Sequence, residues 1–350
     1  MEKRISVVIP NYNNAATIGK CLEAAFDSQY GNYEVIVVDD KSEDHSVEII
    51  KQYPCKLICL ENHAGTSKAR NTGGKDSGGE FIFFIDADCL LQRDTLSIVN
   101  RTIMSLHHHS TIVKGKQDGV VIGGTYTKIP YDKDFFSIFQ SVFVNYSETR
   151  TVNPDYIAAH AMIINAEAFK ESEGFPEDFL PIIEDVEFTH RLKRSGFELI
   201  VNPEIQVQHI FNFTFLKSMR NAFRKTKYWV MYSLRNKDLL TDSGSASTEL
   251  KTNVVCYFLT IISVILWIII RKPIIMYFFQ FILILNIFVS RRLLKTFHET
   301  KGVLFGVQAF LFYTMLYPLP VGSGTIAGVM EYFSLIRRLK QMFLSKESNG

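Results

Sequence analysis

The chain has 350 residues, which favours two domains over one. Its 38 basic residues balance 36 acidic ones for a net charge of +2, which excludes nucleic acid as a bulk electrostatic partner. Five scattered cysteines, Cys21, Cys55, Cys59, Cys89 and Cys256, form neither a disulfide framework nor a zinc-ligand spacing, so a reducing compartment is expected. The apolar stretch Ile5–Pro10 behind Met1–Arg4 is too short for a signal peptide, and the first half is expected on the cytoplasmic side of any membrane.

Ile5–Pro10 reads as a strand stopped by proline, followed by the polar loop Asn11–Asn14. Thr17–Phe26 reads as a helix with Leu22 and Phe26 on one face. A second buried strand, Glu34–Val38, ends at Asp39 and Asp40. Ser42–Tyr53 reads as a helix capped by Ser42 or Asp44, Lys56–Leu60 as a third strand, and Ser67–Lys75 as a helix. Phe81–Ile85, apolar and short, is the fourth strand. Strands alternating with helices indicate a doubly wound, mostly parallel α/β sheet. A dinucleotide fold needs glycines after its first strand, and Pro10–Asn14 has none.

Asp86 and Asp88 follow the fourth strand and would share a face if the chain stays extended there. Two neighbouring carboxylates repel, and a divalent cation relieves this; hard oxygens suit Mg2+ or Mn2+. The alternative is a solvated strand-to-loop turn, where aspartate is common.

Further along, Val120–Thr127 reads as a strand, Asp134–Tyr146 as a helix and Tyr156–Ile164 as another strand. Gly174–Phe179 is a turn, Asp185–Ser195 a helix stopped by Gly196, and Val201–His209 a closing strand. Glu184, Asp185 and Glu187 complement the helix dipole, which leaves the apolar Leu180–Ile183 before the acidic pair unexplained. His107–His109 reads as a solvated linker without a site role.

Taken together, Pro10-x-Tyr12-Asn13, Val37-Val38-Asp39-Asp40-Lys41-Ser42, Ala69-Arg70-Asn71-x-Gly73 and Asp86-Ala87-Asp88 resemble the family-2 glycosyltransferases of GT-A fold. Gly174-Phe175, Glu184-Asp185, Arg191-Leu192 and Gly196 extend the resemblance. Lys41 departs from the glycine or asparagine common there. The resemblance implies that Pro10, Tyr12, Asn13 and Asp40 hold the base and ribose of a nucleotide sugar, with Arg70 near the diphosphate. It implies that Asp86 and Asp88 hold nucleotide and metal, and that Asp185, supported by Glu184, is the general base. His209 either approaches the metal or diphosphate or is a core histidine. An inverting transfer fits one carboxylate as base and a cation for the departing diphosphate, with no second carboxylate nucleophile. The Gln-x-x-Arg-Trp motif of processive polysaccharide synthases is absent, which favours single-sugar transfer.

Lys217, Arg220, Arg224, Lys225 and Lys227 interleave with Phe213, Phe215, Met219, Phe223, Tyr228 and Trp229, a pattern suited to an anionic membrane surface. Val254–Ile270 and Ile274–Val289 are charge-free apolar runs broken by Arg271-Lys272-Pro273, and read as a transmembrane hairpin. Arg291, Arg292 and Lys295 then mark the cytoplasmic side. Val303–Tyr317, before Pro318-Leu319-Pro320 and the Gly-rich Gly322–Gly328, is a third span or a re-entrant segment; Arg337, Arg338 and Lys340 favour the latter.

The expected organisation is a GT-A catalytic domain over 1–212, a basic interfacial helix and linker over 213–250, and membrane helices over 251–350. The expected activity is metal-dependent transfer of one sugar from a nucleotide donor, UDP-linked by preference, to a membrane-presented, lipid-linked acceptor. A processive synthase and a membrane-bound Asp-x-Asp phosphohydrolase are the rival readings.

Overall fold

A computed structural model describes residues 2–110, 119–151, 153–178 and 180–347. The side chains of His107–His109, Arg338 and Lys340, and residue Phe179, fall outside the described residues. The chain forms two compact units, residues 1–212 and 213–350.

The first unit runs β1 (Ile5–Asn11), α1 (Ile18–Phe26), β2 (Tyr33–Asp39), α2 (Ser46–Ile50), β3 (Lys56–Cys59), α3 (Thr66–Lys75) and β4 (Phe81–Phe84). It continues through β5 (Cys89–Leu91), α4 (Thr95–Ser110), β6 (Val120–Tyr126) and α5 (Phe135–Thr149). A 3-10 turn (Ala159–Ala161), β7 (Met162–Asn165), α6 (Ala166–Glu171), α7 (Glu184–Arg194) and β8 (Glu198–His209) complete it. The strands form one sheet in the order β3-β2-β1-β4-β7-β6-β8-β5. Pairing is parallel across β3-β2-β1-β4 and between β6 and β8, but antiparallel at β4–β7, β6–β7 and β5–β8. The mixed sheet is the GT-A architecture that the residue pattern resembles.

Near-continuous apolar strands (Val7, Val8, Ile9, Val37, Val38, Phe83 and Phe84 are all fully buried) are what a sheet covered on both faces demands. Phe84, Phe169, Phe175 and Phe188 pack ring against ring beneath the turn that carries Gly174. Gly73 lies so close to β1 that a Cβ would sit 2.5 Å from Val8 Cγ1, which lets α3 press onto the sheet.

Three expectations are corrected. The Ser42–Tyr53 helix shrinks to Ser46–Ile50, because Ser42 donates to Asp39 Oδ1 (2.6 Å) and Asp44 accepts from Ala15 N (2.9 Å), fixing a loop instead. The strand expected over Tyr156–Ile164 starts only at Met162, after the 3-10 turn. The chain does not stay extended through Asp86 and Asp88: a turn follows β4, closed by Cys89 N donating to Asp86 O (3.0 Å). In the second unit, Pro318-Leu319-Pro320 and the Gly-rich stretch lie in continuous helix. Lys41 sits in the left-handed region at φ 63°, which explains the small residues usual at this turn.

The second unit contains α8 (Phe215–Asn236), α9 (Thr248–Ile270), α10 (Pro273–Leu311), a π-helical turn (Phe312–Leu316) and α11 (Pro318–Glu347). Arg271, left-handed at φ 57°, closes α9, and Pro273 opens α10 at its first turn. A break at Lys301 and Gly302 divides α10. By length and composition, Thr248–Ile270 and the run Pro273–Leu335 are apolar enough to cross a membrane. Gly324 and Gly328 give α11 a small-residue seam: a Cβ would lie 2.6 Å from Phe223 O and 2.5 Å from Lys227 O, so α8 packs backbone to backbone against it. Asn253 donates to Tyr313 O (2.8 Å) and accepts from Asn286 Nδ2 (2.9 Å), a buried polar link across three segments.

Candidate active site

Arg70 is the centre of the site. It lies on α3, is 4% exposed, and donates from Nη2 to Asp86 Oδ1 (2.7 Å) and from Nη1 to Glu184 Oε1 (2.6 Å). Its guanidinium stands over the Phe175 ring at 5.4 Å. Burial alone would weaken its charge, but Asp86 and Glu184 outweigh it and push the guanidinium pKa higher still. The next residue, Asn71, secures the Gly174–Phe175 turn by accepting from Phe175 N (2.7 Å) and donating to Phe175 O (2.8 Å). Gly174 adopts φ +67°, and a side chain there would collide with Asn71, so both glycine properties are used. Arg191 of α7 donates to Gly174 O.

The acidic pair opens α7 behind Ile183, a β-branched residue held at φ 81°. Such a conformation is strained for isoleucine and occurs here immediately beside two half-buried carboxylates. Asp185 accepts from Ala159 N (3.2 Å) and Val186 N (2.9 Å). Burial, then repulsion from Glu184, raises its carboxyl to about 6, partly opposed by Arg70 and the two backbone donors. Glu184 is engaged by Arg70, which leaves Asp185 as the carboxylate poised for proton uptake.

Asp86 is drawn below the usual carboxylate range because Arg70, with His160, overcomes the cost of burial. Asp88 behaves oppositely: burial and then Asp86 raise it to about 7. The β5–β8 pairing sets Cys89 opposite His209, and His209 Nε2 comes within 3.5 Å of Asp88 Oδ1. Ligand atoms of Asp88, Cys89 and His209 lie within 4.8 Å of one another. A carboxylate and an imidazole fit Mn2+ or Mg2+. The Cys89 thiol is driven far up by burial and the aspartates, so it is a poor partner for a hard ion.

Other expected residues lie in and around the loops that follow β1 and β2. Both Asp40 oxygens accept backbone donors, Ala64 N at 2.7 Å and Gly65 N at 2.8 Å, and His63 Nδ1 lies 2.9 Å from Oδ2. Asn13 accepts from Glu43 N (2.8 Å), and Pro10 is buried in β1 opposite Val38. Tyr12 is 40% exposed and stacks on His63 at 4.1 Å, a surface open to a further planar ring. Sequence reasoning missed His160, Glu148 and Tyr126. His160 stacks on Tyr126 at 3.9 Å and faces Glu148 at 3.4 Å. No periodicity marks them, because three separate elements supply them.

The mixed, mostly parallel sheet, with this carboxylate and guanidinium cluster at its strand ends, has the GT-A fold. Residues 6–163, under half the chain, match the family described as Glycosyl transferase family 2. The chain is 29% identical over 157 residues to glycosyltransferase GlyA of Streptococcus pneumoniae, covering 41% of this chain and 22% of the relative. It is 36% identical over 124 residues to the poly(ribitol-phosphate) beta-N-acetylglucosaminyltransferase TarS of Staphylococcus aureus, covering 33% of this chain and 21% of TarS. The matches thus span less than half the length of these curated relatives. Among solved structures, the mannosyltransferase PcManGT from Pyrobaculum calidifontis, in complex with GDP-Man and Mn2+, has a TM-score of 0.55 at 17% identity, covering 95% of this chain and 88% of PcManGT. That likeness concerns the fold.

Proposed function

We propose that this chain is an inverting, metal-dependent glycosyltransferase that moves one sugar from a nucleotide sugar, preferably UDP-linked, to an acceptor hydroxyl presented at a membrane. The observation that carries this reading is Asp185: a half-buried carboxyl raised to about 6, oriented by two backbone donors, beside an arginine bridged to Asp86. Asp185 takes the acceptor proton as the acceptor oxygen attacks the anomeric carbon, and the bond from that carbon to the diphosphate breaks. Glu184 and Arg70 position the base, and Arg70 also faces the departing diphosphate. Asp88, Asp86 and His209 would hold Mg2+ or Mn2+, which when bound neutralises charge on the leaving diphosphate. Tyr12 offers the base a stacking face, with Pro10, Asn13 and Asp40 shaping the loops around it.

Residues 1–212 act as the catalytic domain on the cytoplasmic side, 213–250 as basic interfacial helix and linker, and 251–350 as membrane helices. Mannosyltransferase PcManGT is a manganese complex, which supports the cation assignment by analogy. The lipid-linked acceptor rests on the basic, aromatic sequence of α8 and the apolar helices after it.

The test is a donor panel with polyprenyl-phosphate and glycolipid acceptors, using the full chain in detergent and mass-spectrometric detection of product. Asp185→Asn should lower turnover by about 10²–10⁴ with donor binding retained, and chelator should abolish transfer. Retained turnover in Asp185→Asn overturns the base assignment. Phosphate release without sugar transfer would establish the phosphohydrolase instead, and a ladder of products the processive synthase.

A further inference from the structure

Three successive elements, β6, α5 and the 3-10 turn, converge beside the acidic cluster. In β6 the register against β8 shifts between Gly123 and Thr125, a β-bulge. Gly124 makes the bulge possible, since a Cβ there would meet Ile205 O at 2.5 Å and Ala161 Cβ at 3.1 Å. The bulge places Thr125 so that its Oγ1 donates to Glu148 Oε2 of α5 (2.7 Å), and places the Tyr126 ring against the His160 imidazole (3.9 Å, 21° between planes). His160 is 8% exposed, and its Nε2, 3.4 Å from Glu148 Oε2, is buried without an aligned hydrogen bond.

The position of this imidazole is informative. Its neighbour Ala159 donates to Asp185, the proposed base. On the other side Tyr126 abuts His209 edge-on at 4.8 Å, and His209 approaches Asp88. His160 therefore stands between the carboxylate that faces the acceptor and the cluster that faces the diphosphate. In an in-line transfer the migrating sugar occupies that same interval. Burial presses the imidazole towards neutrality, but Glu148, Asp86 and Asp185 outweigh it and favour the charged form, a strong donor to sugar oxygens.

We infer that His160 is a sugar-binding residue: held by Glu148 and the Tyr126 ring, its imidazole donates to a hydroxyl or acetamido oxygen of the glycosyl unit being transferred. The inference rests on the glycosyltransferase reading and adds to it the residue that selects among sugars on one nucleotide. Glu148 is a positioning residue, acting only through His160.

Calorimetry on the full chain in detergent with Mn2+ tests this, titrating each nucleoside diphosphate and the nucleotide sugars built on it. His160→Ala should weaken the cognate nucleotide sugar about tenfold and the bare diphosphate less than about twofold, the loss of one charged hydrogen bond. It should also narrow the affinity gap between epimeric sugars. Glu148→Gln should show a smaller loss of the same kind. His160→Asn, which retains a donor, should recover part of the affinity, and bare-diphosphate binding checks the fold of every variant. If both ligands weaken equally in His160→Asn and Glu148→Gln, or neither changes in His160→Ala, the sugar-binding role is wrong. If the wild-type chain binds no nucleotide at all, the glycosyltransferase reading itself fails, an outcome distinct from either.

Discussion

Replacing Arg70 by methionine keeps an unbranched, apolar stem and removes the charge between Asp86 and Glu184. The side chains of Arg70 and Glu184 are 5% and 17% exposed, whereas Asp86 is 33% exposed. Breaking a buried pair costs about 3–5 kcal/mol, because the abandoned charge stays desolvated. Solvent screens Asp86 in part, so the lower end, about 3 kcal/mol, is expected. For a unit of this size that lowers the midpoint of unfolding by about 6–12 °C. Near-ultraviolet circular dichroism is the suitable readout, since both tryptophans, Trp229 and Trp267, lie in the second unit and would not report the transition.

The sign with pH follows from Asp86, whose folded-state pKa is depressed by Arg70 against burial. Its contribution is present above the unfolded carboxylate pKa of about 4 and is lost as pH falls through the folded value. The gap between wild type and Arg70→Met should be full at neutral pH and shrink under acid. Arg70→Lys keeps one charge but not the fork that reaches both carboxylates, and should fall between them. A midpoint shift under about 2 °C at neutral pH, or a gap that grows on acidification, would refute the reasoning.

Two further outcomes follow from the geometry. Transfer should lose rate below about pH 6, where Asp185 takes up its proton, and Glu184→Gln should move this limb downward by removing the like charge. A wild-type limb at the ordinary carboxylate value of about 4 contradicts it. In the second unit, Gly324→Val should force α8 and α11 apart and lower thermal stability in detergent, whereas Ile326→Ala, at a position 60% exposed, should change little. Equal behaviour of the two variants refutes the seam.

Much of the fold was readable because the relevant signals are local. Apolar β-branched runs marked β1, β2 and β4, and apolar length marked α9 and the start of α10. Ser42 and Asp44 misled because their side chains serve a loop–loop contact with Asn13 and Ala15 that no helix rule contains. Tyr156–Ala161 looked extended by composition, yet the chain turns there to present Ala159 N to Asp185. The glycines of α11 permit backbone contact between closely packed helices, which the local pattern does not name because the neighbour lies elsewhere in the chain.

By itself the sequence determined which carboxylates end strands, where glycine must relieve a turn, and which stretches are too apolar for a water-facing surface. Each of these is a property of a few adjacent residues. Only the tertiary structure decided that Arg70 reaches Glu184 across 114 residues while also holding Asp86, and that β5–β8 pairing delivers His209 to Asp88. It also decided that a bulge in β6 turns Tyr126 onto His160. Those contacts depend on which strands become neighbours in a mixed sheet, and no local pattern encodes that adjacency.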